Sequence, residues 1–155
     1  MNEILEKTFV VEEVFQHKNI NIVPQDHGDN FKNLLWFPSR KRVVSISVLG
    51  KKIKEYVLPE NMKDNDLQKV NNSNPVNVDK FWAILYLLII NPELGDYILK
   101  YRLQKYKIYI FHVELDSGGV VVFCIYWANN EWFMNSSTAD DNQWIGFQNV
   151  YLFFE

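Results

Sequence analysis

Phe81-Trp82-Ala83-Ile84-Leu85-Tyr86-Leu87-Leu88-Ile89-Ile90 decides the fold of this chain. The run carries no polar residue beyond the hydroxyl of Tyr86. A helix that is apolar on every side is stable in water only where other parts of the protein cover it. A membrane-spanning helix needs about 20 apolar residues, whereas runs of about 10–14 are usually buried core. This run is followed at once by Asn91-Pro92-Glu93, so it reads as an interior helix and no membrane partner is expected.

Local signals bound that helix. Asn74-Pro75 and Asn77 offer cap side chains ahead of Phe81, and Asp79 places negative charge in the first turn. Proline disfavours helical geometry at the residue before it, so the helix is predicted to end at Asn91. Pro92 then opens a second helix with Asn91 as its cap. In that helix Leu94, Tyr97, Ile98 and Tyr101 recur at helical spacing and predict one apolar face, with Asp96 and Lys100 paired on the other. The aromatics at 81, 82, 86, 97 and 101 are explained by packing rather than by a ligand box.

Strand signals lie on both sides of the helical centre. Residues 8–15 are β-branched and aromatic enough for a strand, with a helix from Glu3 as the rival reading, and 19–23 form a second short strand. Residues 24–30 read as a loop that the apolar run Leu34-Leu35-Trp36-Phe37-Pro38 anchors. From Arg42 to Leu49, Val44, Ile46 and Val48 alternate with Ser45 and Ser47. After Gly50-Lys51-Lys52, Ile53–Leu58 returns, which predicts a β-hairpin. Residues 59–75 read as the longest irregular connection, with a short helix near Asp66–Val70.

Residues 107–115 alternate as a strand, with Tyr109, Phe111, Val113 and Leu115 on one face. Asp116-Ser117-Gly118-Gly119 turns the chain into an apolar central strand at 120–127. Ala128-Asn129-Asn130-Glu131 turns it again into 132–136, and 146–154 form a last strand. The expected fold is a single α+β domain over 1–155. Its antiparallel sheet comprises a C-terminal meander plus an N-terminal hairpin, packed on a buried apolar helix and a second amphipathic helix.

Length, an apolar content of 48% and a charged content of 23% suit one soluble domain with a real core. Cys124 is the single cysteine, which excludes an internal disulfide and fits a reducing compartment. The early acids of Met-Asn-Glu-Ile-Leu-Glu-Lys do not match a secretory pattern, so a cytoplasmic location is expected. The net charge of −3 hides a segregation. Residues 1–31 hold six acids and two bases, 32–54 seven bases and no acid, 55–107 seven of each, and 108–155 six acids and no Lys or Arg.

Few residue groups suggest chemistry. Asp26-His27-Gly28-Asp29 flanks an imidazole with carboxylates, a general-base or metal-ligand arrangement, but a metal needs three or four converging ligands and no second histidine is near. His112 and Glu114 share a strand face, the geometry of a proton relay or of a half-buried histidine beside a surface acid. Cys124 lies in the most apolar strand, where cysteine behaves as a small hydrophobe. Asp140-Asp141 lacks the ligand spacing of an EF-hand. Neither a phosphate loop, nor a dinucleotide-binding glycine pattern, nor a zinc or hydrolase motif occurs. Neither a cofactor nor a metal is expected.

Two surfaces remain. Trp36, Arg40, Lys41, Arg42, Lys51, Lys52 and Lys54 form a basic stretch able to neutralise phosphates beside an aromatic. Its plainer reading is a solvated surface facing the acidic segment 108–155 of the same chain, and the pI of 5.6 favours that reading. Trp127, Trp132, Trp144, Asp140 and Asp141 form an acidic, tryptophan-bearing candidate face for a protein partner. The expected function is therefore a non-enzymatic protein-binding module. The alternatives are nucleic-acid binding through 40–54 and a small enzyme using His27 or His112.

The run from Phe81 to Gly95, with Tyr109-Ile110-Phe111-His112-Val113, Glu55-Tyr56-Val57-Leu58-Pro59 and the Trp-rich C-terminal hairpin, resembles short hypothetical proteins of uncultured candidate-phylum bacteria. The resemblance spans residues 55–135. It implies a bacterial source and attaches neither an activity nor a site residue.

Overall fold

The structure, a computed structural model, describes residues 7–15, 20–22, 32–46, 53–57, 62–63, 75–99, 105, 108–137, 143–144 and 149–153. The N-terminal elements are β1 (Thr8–Val10), α1 (Glu12–Phe15), β2 (Ile20–Ile22), a π-helical turn (Lys32–Trp36) running into α2 (Phe37–Ser39), and β3 (Val43–Ser45). Next come β4 (Ile53–Val57), β5 (Met62–Lys63) and β6 (Val76–Asn77). Then α3 (Val78–Leu85) continues as a π-helical turn (Tyr86–Ile90) and leads to α4 (Pro92–Ile98). Last are β7 (Ile108–Glu114), β8 (Val120–Ala128), β9 (Glu131–Ser137), β10 (Gln143–Trp144) and β11 (Asn149–Phe153). The class is α+β.

Of the candidate caps, Asn77 starts the long helix: its Oδ1 accepts from Lys80 N–H at 2.8 Å. Every residue from Phe81 to Ile89 is buried. Burial on all sides requires cover on two sides. One cover is a sheet in the order β2–β9–β8–β7–β11–β4, with β6 also beside β7. Phe81 meets Phe111 edge-to-face at 5.1 Å and Phe123 at 5.7 Å on that sheet. The other cover is the two-stranded ribbon β1–β3, where Phe9 stacks on Tyr86 at 4.3 Å, and Val44 and Ile46 are buried. Among the described residues no single helix is long and apolar enough to cross a membrane; Val78–Ile90 and Pro92–Ile98 reach that length only together, as a pair bent by 119°.

The meander β7–β8–β9 is antiparallel, as expected. Asn129 and Asn130 take φ of 49° and 65°, the left-handed pair a two-residue hairpin demands. Gly118, at φ 98°, closes the β7–β8 turn, with its N–H donating to Leu115 O at 2.8 Å. The whole sheet, however, is mixed. β11 and β6 run parallel to β7, and β2 runs parallel to β9. These strands reach the sheet from distant parts of the chain, and long connections permit parallel pairing where a tight turn cannot.

Three further expectations are corrected. The hairpin of 42–58 does not form between its two strands: β3 pairs with β1, and β4 pairs with β11. Within 43–46 the alternation does mark the buried side, Val44 and Ile46, while 47–49 lie outside the described residues; period 2 cannot name the neighbouring strand. The strand at 8–15 stops at Val10 and turns into α1. Of the face expected on the second helix, Leu94 and Ile98 are half-buried against the core, but Tyr97 is 53% exposed, and the fully buried positions are Gly95 and Leu99, the residue that ends α4. The helix docks back on the π-helical turn through its glycine, which rotates the expected face; Tyr101 lies outside the described residues. So do the loop at 24–30, the Gly50-Lys51-Lys52 turn and the helix expected near 66–70.

The sheet's far face is also buried at its centre. Ile110, His112 and Val122 lie there, with His112 in register with Val122. β7 is thus covered on both faces, which explains its nearly unbroken apolar sequence.

Candidate interaction cleft

Helical geometry at 32–39 sorts the apolar run Leu34-Leu35-Trp36-Phe37-Pro38 by direction. Leu35 and Ser39, four apart, are buried, while Leu34 is 43% and Phe37 48% exposed. The ring of Phe37 leans on that of Trp36 at 5.1 Å. Opposite this wall stands the β7–β8 turn. Between them lies a cleft of about 250 Å³, lined by Leu34, Leu35, Pro38, Val78, Leu115 and Asp116, with polar edges from Asn33, Ser39 and Ser117.

Arg42 ties the parts together. Its Nη1 donates to Asp79 Oδ1 at 2.9 Å and its Nη2 to Asp116 Oδ2. One guanidinium therefore joins the ribbon, the start of α3 and the far wall of the cleft. Burial opposes the Arg42 charge, yet the hydrogen bonds to Asp116 and Asp79 outweigh it and raise the guanidinium above its ordinary value. Nearby, Lys41 Nζ donates to Glu12 Oε2 at 2.8 Å and holds that carboxyl below its usual range. This outer pair is exposed and contributes little to stability.

The basic stretch thus meets acids of its own chain. Arg42 contacts Asp116 of the acidic segment, Lys41 contacts Glu12, Arg40 is exposed and Trp36 is half-buried. Lys54 lies on β4 in register with Leu152; Lys51 and Lys52 are outside the described residues. Since β3 and β4 belong to different sheets, no shared hairpin gathers these bases.

The tryptophan face divides as well. Trp132 is buried and meets Trp127 edge-to-face at 5.2 Å and Tyr109 at 6.5 Å. Trp127 is half-buried, with Lys105 Nζ 4.1 Å above its ring. Both belong to the helix side of the sheet, Trp132 inside the core and Trp127 at its margin. Trp144 sits on β10 in register with Met62, and Asp140 and Asp141 lie outside the described residues.

Of the chemical candidates, His27 is outside the described residues. His112 is buried within β7, whereas Glu114 is exposed at the strand's end. Cys124 sits on the far face, where burial pushes its thiol up to about 12, far from a reactive thiolate. Tyr126, two residues on, is raised by burial and then by Cys124. Among the described residues no three His, Cys, Asp or Glu side chains are grouped to hold a metal.

Sequence reasoning missed the cleft. Asp79 and Asp116 lie 37 and 74 residues from Arg42, so no local pattern announces them. No signal within 34–38 said which of its apolar members face outward; the structure buries Leu35 and leaves Leu34, Phe37 and Pro38 exposed. The chain matches none of the protein-family models, curated proteins or solved structures it was compared with.

Proposed function

We propose that this protein is a non-enzymatic binding module that docks a segment of a partner protein in the cleft between residues 33–39 and 115–117. The observation carrying this reading is Leu34, a large apolar side chain left exposed on one wall of an apolar cleft, with the exposed Phe37 on the same helical turns beside the lining. Exposed apolar groups set together mark interaction surfaces more often than scattered ones do. Size supports a side chain as occupant: pockets for cofactors and drug-sized ligands run from about 300 to 1,000 Å³, and this cleft is about 250 Å³. Arg42 reaches both walls, its guanidinium bonding Asp116 and its backbone N–H donating to Ser39 O at 2.8 Å, so the cleft is held in place before binding.

The test is a random-peptide display selection against the full chain, followed by an NMR titration of enriched peptides. Enriched peptides are expected to shift amides of 33–39 and 115–117, and the double variant Leu34→Ser, Phe37→Ser should lose them. Peptides mapping only to other surfaces would remove the reading. A single-stranded oligonucleotide added in the same titration, shifting Arg40 and Lys41 with steep salt dependence, would favour nucleic acid instead.

A further inference from the structure

Charge at the cleft wall names the partner's chemistry, on the premise that the cleft is the docking site. Asp116 is the single charged group among the described lining residues. It shares Arg42 with Asp79, so two carboxylates face one guanidinium and the cluster keeps one surplus negative charge. The other bases of the turn do not relieve that surplus, because Lys41 is bonded to Glu12 and Arg40 acts on the same acid. Glu114, exposed at the end of β7, adds a further negative charge at this end of the sheet.

Asp116 has capacity left for a second donor. Its side chain is 68% exposed, and only its Oδ2 is engaged by Arg42. A carboxylate offers two oxygens and about four lone-pair sites. We infer that the cleft takes an extended partner segment in which a leucine-sized side chain is neighboured by a lysine or arginine. The apolar group lies against Leu34, Pro38 and Leu115, and the cation reaches Asp116 from the solvent side.

The experiment uses the full chain and three short capped peptides that differ at one position: Ser-Gly-Leu-Lys-Gly-Ser, Ser-Gly-Leu-Gln-Gly-Ser and Ser-Gly-Leu-Glu-Gly-Ser. Each is titrated into labelled protein at low salt and followed on the amides of Leu34, Leu115 and Ser117. The lysine peptide is expected to bind about two- to fivefold tighter than the glutamine peptide, the worth of one exposed ion pair, and the glutamate peptide more weakly still. The lysine preference should fade as salt is raised toward about 1 M, and Asp116→Asn should erase it. Equal affinities, or a glutamate peptide that binds best, would overturn the inference while leaving the docking reading intact. Failure of all three peptides to shift these amides would overturn both.

Discussion

Gly95 tests the packing at the centre of the fold. In the π-helical turn before α4, Asn91 N–H bonds Tyr86 O at 2.9 Å, and the next residue, Pro92, has no N–H. The Leu87 carbonyl lies against Gly95. A methyl group built on Gly95 would stand 3.0 Å from the Leu87 carbonyl carbon, nearer still to its oxygen, and 3.7 Å from Leu87 Cβ. Carbon atoms pack best at about 3.5–4.0 Å, so Gly95→Ala forces backbone of two buried segments apart by roughly 0.5–1 Å. Overpacking of this kind costs about 1–3 kcal/mol, and the upper end applies because a backbone carbonyl cannot rotate aside. Alanine returns about 1 kcal/mol through helix propensity, leaving a net loss of about 2 kcal/mol. In a chain of this size that lowers the melting temperature by about 4–8 °C and the urea midpoint by about 1 M. Gly119→Ala, with nothing within 4 Å of the added carbon, should stay within about 0.5 kcal/mol of the parent. The sign is decisive. A Gly95→Ala variant more stable than the parent would show that α4 does not rest on Leu87.

Two further outcomes are expected. Asn77→Ala and Asn91→Ala each remove a side chain that accepts from the first turn of a helix, from Lys80 N at 2.8 Å and Leu94 N at 3.2 Å; each should cost about 1 kcal/mol by urea denaturation, and unchanged midpoints would show the caps are not formed in solution. Cys124, its thiol raised from 9.0 to about 12, should resist a maleimide at about pH 8 in the folded protein and react on unfolding. Because the folded value is the higher one, its contribution to stability is complete below 9.0 and lost as pH rises toward 12; prompt labelling of the native protein would contradict the burial.

The candidate site was legible only in its ingredients. Charge counting singled out Arg42 and the acidic C-terminal third, and the plainer of two readings set them face to face; Arg42 and Asp116 do meet. That reading was available because segregated opposite charges in a folded chain tend to find one another. The cleft was not legible, because its walls are separated by some 80 residues and exist only after β7 and the 32–39 turns dock against α3. Trp132 misled for the opposite reason. Tryptophan suits an interface and a core equally well by composition, and its register opposite Trp127 on the helix side of the sheet decided between them.

Local rules alone determined where the central helix starts and stops and how the β7–β8–β9 meander turns, because caps and left-handed turn positions act over four or five residues. Tertiary structure alone decided that β3 lies beside β1 rather than β4, that β11 runs parallel to β7, and that α4 rolls onto Gly95. Those choices compare pairings of equal local merit, and only the summed burial around the helix from Val78 to Ile90 separates them.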